Sequence, residues 1–300
     1  MAIDLELHEF QPPLLEFGGP GTFIDPRDGL REGGPFDLRF GAARNDRVNV
    51  GLVGPAEMVE RTLRWLRRTE GSLPAVPNVS GYAAFPGFEE VFRARLGIDA
   101  RWTVIFEGPS NDLQKALALT DNRERFDAVL EVYHAGIRRL AGLEIAKPDV
   151  ILCCLPDELI EKCSTVKRTA SVEEKKAAAA LKKRQAAALL VRDFRRALKA
   201  RAMIERMPVQ IATNQLVFDD VAKQGASIRA WNSSVGLYYK AGGIPWRMKL
   251  DGPVTCFVGI SFHHVKTRDR HLVKSSIAQA FSSQGEGFAL RGGDVEYDDR

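Results

Sequence analysis

Five residues in this sequence have the types and spacing to grip a terminal phosphate. Arg195 and Lys199 stand four apart in RRALKARAM, which places them on one helical face. Gln210 follows in MPVQIAT, and Asn232 and Lys240 lie eight apart, close to two turns of a second helical stretch, so they are expected to share a face. Arg195, Lys199 and Lys240 supply fixed positive charge, while Gln210 and Asn232 supply amide donors. A phosphate monoester carries about two negative charges and three strong acceptor oxygens, and such a donor set suits it. The same residues also fit a plainer description, surface cations with no common target, and charge and spacing do not choose between the two.

Other candidate chemistry is weaker. GLVGPAE, starting at Gly51, suggests a nucleotide fold but has neither GxGxxG nor GxxxxGK[ST] spacing, so it reads as a strand-to-helix turn. Cys153 and Cys154 are neighbours in the apolar run VILCCL. On a strand they point to opposite faces and cannot share a metal, so they read as buried thiols. With Cys163 and Cys256 they suggest no disulfide framework, which fits a reducing compartment. His263 and His264 diverge for the same reason as the cysteine pair and make no metal site. Asp294, Asp298 and Asp299 receive no role.

The elements that must position these residues can be read from periodicity. RVNVGLVG (47–54), RWTVIFEG (101–108), PDVILCCLP (148–156) and MPVQIAT (207–213) read as strands. The third is apolar throughout, as a strand covered on both faces should be. Helical patterns follow Pro55, run from Asn111 to Ala118 with a cap at Ser110 or Asn111, span Phe126–Leu143, and span Ile228–Tyr239 ahead of Ala241-Gly242-Gly243. Strands alternating with helices predict an α/β fold with a Rossmann-like parallel sheet. Residues 171–206, rich in Ala, Lys, Arg and Leu, predict one long helical stretch whose first part packs lightly or projects. Residues 1–46, with FGGPG, DPRDG and EGGPF, read as extended segments broken by turns. After Gly252, VTCFVGISF, SSIAQAF and GFALRG predict antiparallel strands that open a new sheet, leaving a second domain half present. The predicted divisions are 1–46, 47–240 and 241–300.

Composition bounds the partners. The 300 residues are 45% hydrophobic and 27% charged, an ordinary globular mix. No run of 18 apolar residues occurs, and MAIDLELHEFQPP lacks a signal pattern, so a cytoplasmic protein without membrane contact is expected. The net charge is +4, yet residues 165–206 hold 13 Lys and Arg against four Asp and Glu. That local field is what a polyanion would meet.

With these motifs in view, the sequence resembles the MID and PIWI domains of prokaryotic Argonautes, most of all the short ones. That family anchors a guide 5′-phosphate with Tyr, His or Arg, then Lys four residues on, then Gln, then a distal Lys. Arg195, Lys199, Gln210 and Lys240 stand in that order, and Asn232 ahead of YYKAGGIPW also fits. YKAGGIPW (239–246) looks like the crossing from MID into PIWI. LLEFGGPG with DPRDGL and GGPF is similar to the opening of short Argonautes, and VGISF and GEGFALRG to the first PIWI strands. The resemblance covers nearly the whole chain.

It implies a MID domain over 47–240, the beginning of an RNase H-like PIWI domain over 241–300, and a short RNA or DNA guide paired with complementary DNA. It further implies a partner with an APAZ region joined to a TIR, sirtuin-like or nuclease domain, acting against plasmids or phage. Family members often add Mg²⁺ at the guide phosphate, completed by the C-terminal carboxylate. Slicing members place their first catalytic acid in VGID. Here the strand reads VGIS, with Ser261 in that place, and a neutral hydroxyl cannot supply the charge that bridges metal ions. The expectation is a catalytically inactive guide holder, with the chain stopping before later acids and with no PAZ or N-terminal domain ahead of the MID. A guided nuclease with atypical acids and a non-guided Rossmann-like regulator stand as the alternatives.

Overall fold

The computed structural model describes residues 11–75, 83–108, 111–167, 172–179, 191–250, 252, 255–266, 271–282, 287–291 and 295–297. Strands are numbered β1 Leu15–Glu16, β2 Thr22–Phe23, β3 Arg47–Pro55, β4 Arg95–Phe106, β5 Val150–Cys154, β6 Thr165–Lys167, β7 Val191–Asp193, β8 Val209–Ala212, β9 Arg247–Met248, β10 Cys256–Lys266, β11 His271–Ser282, β12 Gly287–Arg291 and β13 Val295–Tyr297. Helices are α1 Pro26–Gly33, α2 Ala56–Glu70, α3 Phe88–Phe92, α4 Asp112–Leu117, α5 Asn122–Ala141, α6 Asp157–Cys163, α7 Val172–Ala179, α8 Phe194–Ile204, α9 Asn214–Val217 and α10 Ala226–Lys240.

The central sheet has the order β4-β3-β5-β8, and every pairing in it is parallel. This is the α/β architecture predicted from the alternating elements. Every residue of β5 is buried, because helices cover both faces of the sheet. One face packs Val48, Val50, Leu52, Leu152 and Cys154 against α2, α3 and α10. The other packs Val53, Val104, Ile151, Cys153 and Val209 against α4, α5, α6 and α8. Cys153 and Cys154 therefore do fall on opposite faces. Burial raises both thiol pKa values, that of Cys154 to about 12. Gly54 is the next-to-last residue of β3, where a Cβ would lie 2.6 Å from the Cys154 carbonyl oxygen, so GLVGPAE is a close strand contact leading into α2.

Two predicted elements differ. The stretch 171–206 is not one helix: Val191–Asp193 forms β7 and pairs antiparallel with β6. Asp193 then caps α8, its side chain accepting from the Arg196 N–H at 2.9 Å. A cap inside a run of strong helix formers overrides their propensity and starts a new helix. Residues 180–190 lie outside the described residues. The segment before residue 47 is also not wholly extended. Asp25 caps α1 by accepting from the Arg27 N–H at 2.8 Å, with Pro26 in the first turn, and Phe36–Ala43 makes 3-10 turns.

That N-terminal segment is tied to the far side of α10. The small antiparallel sheet has the order β2-β1-β9, so Arg247 and Met248 pair with Glu16 and Leu15. After it, β10, β11 and β12 form the expected antiparallel strands, with β13 also on β11. In this sheet Ser261 pairs with Ile277, and the register shifts between Phe262 and His263. The side chains of Ser261, His263 and His264 lie outside what is described, as do Asp294, Asp298 and Asp299.

Candidate functional site

Helix α8 is rotated by its apolar stripe. Phe194, Leu198 and Ala202 are buried, and the Phe194 ring meets Phe126 edge-on at 5.5 Å. With that stripe fixed, Arg195 and Lys199 fall on an exposed flank one turn apart. Among the described residues neither is paired with a carboxylate.

Gln210 sits on β8, the edge strand, on the sheet face that α10 covers. Its amide nitrogen donates to the Ser233 carbonyl at 3.4 Å, and its Oε1 accepts from Lys240 Nζ at 3.1 Å. Gly236 makes the approach possible: a Cβ there would lie 2.9 Å from Gln210 Oε1. Ser233, Gly236 and Lys240 thus line the face of α10 along which the amide lies.

Lys240 is half-buried, and its pKa is lowered, first by that burial and then by the Lys199 charge; the Cys153 thiol acts weakly the other way. Lys199 and Lys240 come from helices on opposite faces of the sheet, and the Lys199 charge is felt at Lys240. An ammonium held in partial burial against a neutral amide and a like charge is poised for an anion. Gln210 and Lys240 are in hydrogen-bond contact, the Lys199 charge acts on Lys240, and Arg195 stands one turn before Lys199 on α8.

Asn232 lies elsewhere. It lines a cleft of about 470 Å³ with Asp25, Arg27, Trp231 and Trp246. Eight residues at about 100° each leave it roughly 80° around the helix from Lys240, and one position off the Ser233–Gly236–Lys240 face. The expectation that Asn232 and Lys240 share a face is corrected to that extent.

The sequence reading missed a second set of residues that holds this region. Asp37 is buried, and its carboxylate accepts from the Tyr238 hydroxyl at 2.7 Å and from the Ile244 N–H at 2.9 Å. Arg44 pairs with it at 3.1 Å, both side chains being under a tenth exposed. A lone acid inside PFDLRF was the available signal, but Tyr238 and Ile244 lie about two hundred residues away and no local period links them to it.

The donor set does not fit a divalent cation. Arg195, Lys199 and Lys240 are positive, and the one side-chain oxygen among them and Gln210, Oε1, already accepts from Lys240; Mg²⁺ wants carboxylate or phosphate oxygens. Among the described residues no group of three or more His, Cys, Asp or Glu could hold a metal ion. Among them also, no helix is long and apolar enough to cross a membrane.

No family model matches the sequence, and no curated protein matches it. Among solved structures, the chain is similar to A. aeolicus Argonaute, at 12% identity and a TM-score of 0.46 over 95% of this chain and 30% of that one. It is also similar to Marinitoga piezophila Argonaute in complex with 5′ OH guide RNA, at 9% identity and a TM-score of 0.43 over 96% of this chain and 34% of that one. The chain therefore spans about a third of the length of the Argonautes it matches. At such TM-scores the likeness bears no functional weight, which rests on the cluster around Gln210.

Proposed function

We propose that this chain holds the 5′-phosphorylated end of a short guide nucleic acid and leaves any cutting to another protein. The observation that carries the reading is the half-buried Lys240, satisfied by Gln210 and pushed by the Lys199 charge, with no carboxylate beside it among the described residues. A terminal phosphate brings about two negative charges to that point, whereas an internal phosphodiester brings one. A 5′-hydroxyl would bring none and leave Lys240 uncompensated. Arg195, Lys199, Gln210 and Lys240 also stand in the order that the Argonaute resemblance assigns to the phosphate.

On this reading Lys199 and Lys240 neutralise the phosphate and Gln210 turns its amide toward an oxygen. Arg195 adds its charge to the phosphate clamp, and Asn232 supports from its neighbouring cleft. Base pairing reads the target, which we take to be complementary DNA, while the protein grips backbone. Ser261 in place of an acid supports a binding role, with output from an APAZ-containing effector in cytoplasmic defence against plasmids or phage. RNA and DNA guides both satisfy the site. A Mg²⁺ ion at the phosphate would need oxygen ligands from outside this cluster.

The test is direct. Lys199→Ala with Lys240→Ala removes two charge-assisted contacts worth about 1.5–3 kcal/mol each, so Kd for a 5′-phosphorylated oligonucleotide should rise at least about a hundredfold. Kd for the 5′-hydroxyl oligonucleotide should change far less. Equal affinity of the parent protein for both oligonucleotides would sink the reading. Guide-dependent cleavage of matched target with Mn²⁺ would instead favour the nuclease alternative.

A further inference from the structure

Lys240 is the last residue of α10, and the turn behind it is held from the N-terminal segment. Asp37 bridges both sides of that turn. Its two carboxylate oxygens each lie 2.7 Å from the Tyr238 hydroxyl, and Oδ2 accepts from the Ile244 N–H at 2.9 Å. Arg44 closes the ring, with Nε and Nη2 each donating to the Tyr238 hydroxyl at 3.2 Å and Nη1 donating to the Arg93 carbonyl at 2.8 Å. Its Nη2 also donates to the Phe92 carbonyl, and the Phe92 ring stacks on Tyr238 at 4.6 Å.

Backbone bonds repeat the tie. Phe36 N–H donates to the Pro245 carbonyl at 3.1 Å and Asp37 N–H to the Ile244 carbonyl at 3.3 Å. Between the two anchor points, the Ala241, Gly242 and Gly243 N–H groups return to the carbonyls of Leu237, Tyr239 and Tyr238. Gly242 takes φ 92°, and a Cβ on Gly243 would stand 2.4 Å from the Tyr238 ring, so both glycines are needed for this turn. Helix ends fray unless something fixes them. Here one buried carboxylate fixes the residue two before Lys240 and the residue four after it.

We propose that Asp37 is a positioning residue for the guide 5′-phosphate: its bonds to Tyr238 and Ile244 set where Lys240 points, although Asp37 itself touches no ligand. The N-terminal segment is then a working part of the pocket. This inference rests on the function proposed above. A lysine whose backbone is fixed and whose ammonium is already parked on Gln210 loses little freedom on binding. One whose helix end frays must be ordered at that moment, at a cost on the order of tenfold in affinity.

The experiment uses the full chain with Asp37→Asn, Tyr238→Phe and, for comparison, Lys240→Ala. Fluorescence anisotropy gives Kd for 5′-phosphorylated and 5′-hydroxyl forms of one oligonucleotide, and thermal melting reports folding. The expected result is an about tenfold fall in the phosphate-to-hydroxyl preference in Asp37→Asn and Tyr238→Phe, toward that of Lys240→Ala, with hydroxyl affinity unchanged. A purely structural clasp would lower the melting temperature and keep the preference, which overturns the inference. Should Asp37→Asn not fold, Tyr238→Phe, which removes only a hydroxyl, decides by the same two outcomes. A parent protein without preference removes the pocket and this inference with it. A parent with preference and variants that keep it removes this inference alone.

Discussion

Lys240 Nζ lies 3.1 Å from Gln210 Oε1, so a half-buried ammonium is satisfied by a neutral amide instead of a carboxylate. Burial and the Lys199 charge lower its pKa, in that order. For a base with a depressed folded-state pKa, the unfolded chain binds more protons between the lowered value and the ordinary lysine value. Stability of the empty protein therefore rises with pH across that window and is insensitive to Lys240 below it. Binding of a phosphate runs the other way, because it needs the ammonium. Affinity for a 5′-phosphorylated oligonucleotide should fall as pH climbs through the lowered pKa, with proton uptake in that range. It should also fall below about pH 6, where the phosphate becomes a monoanion. Lys199→Ala should weaken binding and move the alkaline limb to higher pH. Anisotropy titrations across pH would show both limbs; a profile matching that of the 5′-hydroxyl oligonucleotide would exclude Lys240 from the contact.

Gly236 separates stability from binding. A methyl group there would stand 2.9 Å from Gln210 Oε1, and the flexible amide end can move away. Gly236→Ala should therefore leave the fold intact and gain about 0.5–1 kcal/mol from helix propensity. The displaced Gln210 would release Lys240, so the preference for a 5′-phosphate should drop several-fold. Chemical denaturation and anisotropy on the same variant should move in opposite directions. If the affinities for the two oligonucleotides are unaltered, Gln210 is not a contact.

The parallel sheet was legible in the sequence because β3, β5 and β8 are short apolar runs bounded by Pro and Gly, and α5 and α10 have clear faces. Arg195, Lys199, Gln210 and Lys240 were legible as types and order, and the α8 flank follows from the i, i+4 rule. Three features were not. Val191–Asp193 is a strand within helix-forming composition, visible only through its pairing with β6. Asn232 drifted off the Lys240 face because eight residues are not a whole number of helical turns. Asp37 meets Tyr238 and Ile244 across the length of the chain, and no local pattern encodes such a contact.

Asp193 offers a test of the helix that carries Arg195 and Lys199. Its side chain caps α8 through the Arg196 N–H at 2.9 Å. Asp193→Ala should cost about 1 kcal/mol of stability, while Asp193→Ser should recover most of it. Phosphate affinity should fall only slightly, since Phe194, Leu198 and Ala202 still hold the helix in place. Loss of binding as large as that of Lys199→Ala, at unchanged stability, would point to a direct role for Asp193 in place of capping.

Lys240 itself should show a cost of function. In the empty protein its charge is partly desolvated and pushed by Lys199. Lys240→Met keeps the aliphatic stem, removes the charge, and frees Gln210 from its only ammonium partner among the described residues. Melting of the empty variant should be unchanged or stabilised by about 0.5–1 kcal/mol, as happens when a strained functional group is removed. The parent protein should gain about 2.7 kcal/mol at a hundredfold excess of 5′-phosphorylated oligonucleotide over Kd, and the variant should gain much less at the same concentration. Thermal shift with and without ligand reads both effects. A variant that is destabilised when empty yet stabilised by ligand as fully as the parent would assign Lys240 to the fold instead of the phosphate.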